Sequence, residues 1–98
     1  MAQNKDPIED EKTIPLRKPI KLQDRTIESI DLREPTAYEI EQAAKKAETS
    51  AQGSNILLVS LVSGLTVGEV GKIGARDFDE SVQFVKSFLP TSRQTGND

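Results

Sequence analysis

The chain has 98 residues, 13 of them basic and 16 acidic, a net charge of −3, no cysteine and no histidine. That length holds one domain, and the missing residue types rule out disulfides, zinc sites of the Cys/His kind, and Ser-His-Asp or Cys-His nucleophile systems. No lysine or arginine cluster exceeds two in a row, whereas a sequence-independent grip on a phosphate backbone needs several basic groups on one face.

Residues 1–13 are almost wholly polar, with Ile8 as the only large apolar side chain besides the initiator methionine, and residues 90–98 have none. Neither segment buries enough surface to offset the entropy of ordering it, so both are expected to be disordered tails around a single domain over 14–89. A domain of that size buries only about 60% of its chain surface and is marginal alone, so self-association or a partner is expected. The N-terminus has no apolar stretch of signal-peptide length. The longest dense apolar run, residues 56–62, is far short of the ~20 residues a bilayer span needs. A soluble, cytoplasmic protein is expected.

The first predicted element is a strand over 14–22. Ile14, Leu16, Ile20 and Leu22 share one parity, interrupted by Lys18, with Arg17, Pro19 and Lys21 on the other. Pro15 and Pro19 cannot donate to a ladder, which predicts an edge or irregular strand. Gln23-Asp24-Arg25 is a plausible tight connection to a second strand over 26–32. There Ile27 is out of phase with Ile30 and Leu32, and a bulge between Ile27 and Ile30 would reconcile them.

Pro35 holds Glu34 extended and stops the strand. Thr36 and Glu39 then form a capping box for a helix ending near Glu48. Its inner face is Ala37, Ile40, Ala43, Ala44 and Ala47, small enough to lie close to the sheet. Glu41 and Lys45 have the spacing of a surface ion pair, and Tyr38 points away from the inner face.

Residues 49–53 are read as a polar linker. The run 55–63 is apolar on most sides and fits strand or helix by periodicity. Ser54 or Asn55 as a cap and Gly64 as a stop favour a helix that is central or covered by another chain. Thr66 and Glu69 are a second capping box, opening a short helix that Gly68 and Gly71 weaken and Gly74 ends. Asp77 and Glu80 repeat the pattern before a last helix, 78–89. Its core stripe is Phe78, Val82, Val85 and Leu89, and Phe84 and Phe88 widen the apolar arc to about 160°.

No catalytic or metal site emerges. Asp77, Asp79 and Glu80 are read as carboxylates favoured by a helix N-terminus rather than as metal ligands or an acid/base pair. Gly68, Gly71 and Gly74 around Lys72 lack P-loop spacing. The helix-turn-helix outline of 65–88 would present Asp77, Asp79 and Glu80 to phosphate, which argues against DNA. Arg33 beside Glu34 is read as a structural or surface charge. The surplus apolar faces are another matter: Leu57 and Leu61 on the central segment, Phe84 and Phe88 on the last helix, and Tyr38 are the candidate partner-binding residues.

The order of these features carries a resemblance. Ile14-Pro15-Leu16-Arg17-Lys18-Pro19-Ile20, then residues 27–32, then Arg33-Glu34-Pro35-Thr36 opening a helix, then Val62-Ser63-Gly64-Leu65-Thr66, residues 70–73, Asp77-Phe78 and Phe88-Leu89 together resemble the tail assembly chaperones of long-tailed bacteriophages, the Mu-like contractile-tailed type in particular. The fold expected is α+β, an N-terminal β-hairpin followed by about four short helices. The resemblance implies a non-enzymatic protein without cofactor. It would bind the tape measure protein, keep it soluble until the tail tube assembles in the host bacterial cytoplasm, and be absent from the mature virion. In many relatives a frameshifted longer form of the chain accompanies it; from size, charge and apolar content a homo-oligomer is expected, with no nucleic-acid or membrane partner. The alternative functions are a small structural tail or baseplate protein of a virion, and a small DNA-binding regulator.

Overall fold

The computed structural model describes residues 10–89; the expected tail 90–98 and residues 1–9 of the expected N-terminal tail lie outside it. Two antiparallel strands, β1 (Glu11–Lys21) and β2 (Thr26–Arg33), are followed by four helices, α1 (Ala37–Ala47), α2 (Ala51–Ser63), α3 (Val67–Val70) and α4 (Ala75–Lys86). The α+β hairpin-then-helices architecture is therefore the one expected. β1 begins at Glu11, within the span 1–13 assigned to the tail, and the ladder continues one step further as the Glu34 amide donates to the Asp10 carbonyl at 2.9 Å.

The hairpin closes where Gln23, Asp24 and Arg25 were expected to turn, with the Leu22 amide donating to the Arg25 carbonyl at 2.8 Å. Pairing runs from Glu11↔Arg33 to Pro15↔Ser29, then resumes at Ile20↔Ile27. Leu16, Arg17, Lys18 and Pro19 thus stand opposite Glu28 alone. The irregularity falls opposite the interval that parity pointed to, but the surplus residues belong to β1 rather than β2. That slip lets Ile14, Leu16 and Ile20 share one buried face with Ile27, Ile30 and Leu32, although no single alternation accounts for all six.

The helices cover that face. α2 is central, touching β2 and every other helix, and it buries Leu58, Val59 and Val62. It starts four residues earlier than expected. Ser50, not Ser54 or Asn55, is its cap, accepting from the Gly53 amide at 2.8 Å, so most of the supposed linker 49–53 is helix. Gly64 ends it in the left-handed region, φ 81°. Ser54, freed from capping, donates from Oγ to the Ala43 carbonyl at 2.8 Å and ties α2 to α1.

α1 and α4 also depart from expectation. α1 packs on α2 rather than on the sheet. Of its small-residue face only Ala43 is buried, Ile40 is half-buried, and Ala37, Ala44 and Ala47 are exposed. Glu41 and Lys45 form no ion pair among the described residues. α4 begins at Ala75 with Gly74 as its cap, so Asp77 is not a capping residue, and the helix stops at Lys86. Its fully buried positions are Asp77, Ser81 and Val85, while Phe78, Val82 and Leu89 are half-buried. The buried stripe is rotated by about one residue from the apolar one because Asp77 has a partner on β1.

Candidate partner-binding surface

Three arginines on the hairpin meet the first turns of three of the four helices. Arg33, at the end of β2, makes a two-pronged pair with Glu39: Nη1 donates to Oε1 at 2.9 Å and Nη2 to Oε2 at 2.7 Å. Nη2 also reaches the Leu61 carbonyl at 3.1 Å, and Nη1 the Glu34 carbonyl at 3.1 Å. Glu39 meanwhile completes the capping box of α1, accepting from the Thr36 amide at 2.9 Å. The Arg33 guanidinium holds the Glu39 carboxyl down to about 2, aided by the Thr36 amide and opposed by partial burial, and Glu39 in turn raises the arginine. Arg33 is thus a structural charge whose main partner is Glu39.

The same construction recurs twice. Arg25 in the hairpin turn donates from Nη2 to Glu69 Oε2 at 3.0 Å, and Glu69 closes the capping box of α3 on the Thr66 amide at 3.0 Å. The Thr66 amide, then Arg25, lower the Glu69 carboxyl. Arg17, inside the irregular stretch of β1, gives its backbone amide to Asp77 Oδ2 at 2.7 Å and its guanidinium to Asp77 Oδ1, with Glu80 at 3.6 Å beyond. Glu39, Glu69 and Asp77 each occupy the third position of their helix, where a carboxylate meets the positive end of the helix dipole. Each therefore answers to a helix terminus and an arginine at once. Asp77, 1% exposed, also supplies the acceptor that the Arg17 amide lost when β1 left its ladder. α2, with Gly53 at that position, has no such tie.

Around this scaffold the candidate partner residues separate. Leu57 and Leu61 are half-buried, one turn apart on α2. Leu61 lines a cleft with Lys12, Asp31, Arg33 and Gly64. Phe84 and Phe88 meet edge to face, ring centres 5.3 Å apart, both half-buried. Tyr38 is 68% exposed on α1. No described cleft brings these five residues together.

An apolar groove does form elsewhere, of about 320 Å³, between α1, α2 and the end of α4. Ile40, Ala43, Ala44 and Ala47 form one wall, Ala51, Ser54, Asn55 and Leu58 another, and Lys86 and Leu89 the third. None of the five candidates lines it. The alanine spacing of α1 is visible in the sequence, but which surface it meets is not: β1 and β2 already bury their apolar face under α2 and α4, so the alanines line an open groove instead.

The family model for phage tail assembly chaperone proteins, E, or 41 or 14, matches residues 13–90. The chain belongs to the phage tail assembly chaperone family. The match spans both the hairpin with its arginines and all four helices. No match was found among curated proteins or among solved structures. The family assignment points to a non-enzymatic role in tail assembly with a phage tail protein as partner. Among the described residues, no helix of the chaperone is long and apolar enough to cross a membrane.

Proposed function

We propose that this chaperone binds the tape measure protein in the host cytoplasm, keeps that apolar helical chain soluble until the tail tube assembles, and is then released rather than packaged. The carrying observation is the open apolar groove of α1, α2 and α4 on a chain of this family. An apolar helix is held by an apolar groove, with no active site required. Leu57, Leu61, Tyr38, Phe84 and Phe88, which lie outside the groove, are further candidate contacts. Release demands moderate affinity, so contacts are few and are multiplied by homo-oligomer avidity, including any frameshifted longer form of the chain.

The test is co-expression with the tape measure protein of the same phage. The chaperone is expected to raise the soluble fraction of tape measure and to co-purify with it. Mass spectrometry of finished particles is expected to find no chaperone; its stoichiometric presence would favour a structural tail component. A tape measure that stays insoluble and does not co-purify with the chaperone would overturn the reading.

A further inference from the structure

We propose that α1 is a strap that lets go of α2 and unwinds while the hairpin, α2, α3 and α4 stay folded, and that this release admits the partner helix. The release goes beyond the tape-measure reading; only its use in binding rests on that reading.

The hold on α1 is thin. It packs on α2, yet Ala43 is its one buried side chain, and an alanine methyl removes little apolar area from water. Two clasps add to that contact. At the front, Arg33 grips Glu39 with both prongs and the Leu61 carbonyl with Nη2. At the rear, Ser54 Oγ donates to the Ala43 carbonyl at 2.8 Å. A helix of 11 residues is marginal in water on its own, so α1 unwinds once it leaves α2. The other elements have supports that do not pass through α1. α4 packs on both strands and on α2, and Val59, Val70 and Val85, each 1% exposed, join hairpin and helices in one core.

What release uncovers is apolar. The Ser54 hydroxyl marks the stripe of α2 that faces α1. Leu57, Leu58 and Leu61 follow it at three, four and seven residues, on the same face. Leu57 and Leu61 are half-buried there, and a helix that is apolar on nearly all sides calls for cover on all of them. The groove beside α1 holds about 320 Å³, less than one turn of helix, which fills roughly 420 Å³. As it stands the groove takes side chains but no helix body. With α1 released, the groove and the leucine stripe become one surface.

Native-state hydrogen exchange on the full chain tests the release. Amides of residues 40–47 are expected to exchange about a hundredfold faster than those of Ile30, Leu32, Val59 and Val62, with rates that change little at low urea. Val59→Ala is expected to quicken the core amides and leave those of α1 unchanged. Equal protection of α1 and the core, or equal acceleration of both in Val59→Ala, would overturn the proposal. The chain has no cysteine, so A43C/S54C introduces a single lock between α1 and α2. Oxidised, it is expected to slow α1 exchange toward that of the core and to suppress tape measure co-purification, with reduction restoring both. A locked chain that co-purifies as well as the parent would overturn the strap as an entry route. If the lock does not close, exchange in the parent and in Val59→Ala decides. A tape measure that fails to co-purify even with the parent would overturn the tape-measure reading, while the exchange pattern still judges the strap.

Discussion

At the scale of single residues, Glu39 does two tasks with one carboxylate. It accepts the Thr36 amide and both prongs of Arg33, so its charged form is favoured and its titration is held at about 2 against the usual 4.5. The unfolded chain lacks these partners. The folded-state value lies below the unfolded one, so the stabilisation is complete above about pH 4.5 and is lost as pH falls toward 2. Glu39→Gln is expected to be less stable than the parent at pH 7, with the gap closing through that window in urea melts. Glu39→Ala, which removes the capping box as well, should cost about 2 kcal/mol at pH 7. Gly64 is a different kind of residue-scale constraint. Its φ is 81°, and an added Cβ would meet nothing within 4 Å, so Gly64→Ala should cost about 1 kcal/mol from backbone strain alone. Scanning calorimetry checks it; a neutral result would mean that the α2–α3 turn relaxes out of the left-handed region.

At the scale of elements, the irregular part of β1 and the start of α4 explain each other. Arg17 turns its amide out of the ladder and finds Asp77, while Asp77 gives up capping to reach it. Removing the acceptor leaves a partly buried amide and a guanidinium without their main partner. Asp77→Ala is expected to cost about 2–3 kcal/mol, and Asp77→Asn less, because one oxygen remains for the Arg17 amide. Hydrogen exchange at the Arg17 amide is expected to quicken in the alanine variant more than at Ile14 or Ile30. Equal acceleration throughout β1 would indicate a general loss of stability rather than a lost pin. The sequence showed an acid at residue 77 before a helical stripe, but aspartate is favoured both as a cap and within the first turn. Only Arg17, sixty residues earlier and brought close by folding, separates the two. The start of α2 was obscured for a local reason. Gly53 reads as a linker residue, yet it lies in the first turn, where a Cβ would come within 2.9 Å of Lys46 and Ser50.

At the scale of the whole molecule, the core and the proposed docking surface share few residues. Val59 is 1% exposed at the centre of the cluster that joins hairpin and helices, and Val59→Ala is expected to cost about 2 kcal/mol. Ala44 and Ala47 are exposed, so A44W and A47E should leave the melting midpoint within a few degrees of the parent while suppressing tape measure co-purification. A large drop in midpoint for either would mean that α1 is more deeply packed than the structure shows.

The order of elements, both capping boxes and the apolar residues of the hairpin were legible from the sequence, because caps, prolines and alternation act over a few residues and need no knowledge of the fold. The pairing slip, the true start of α4 and the open side of α1 were settled only in three dimensions. Each depends on which distant surface is already satisfied: α2 occupies the sheet face that α1 seemed shaped for, and Arg17 claims the carboxylate that α4 would otherwise have used as a cap.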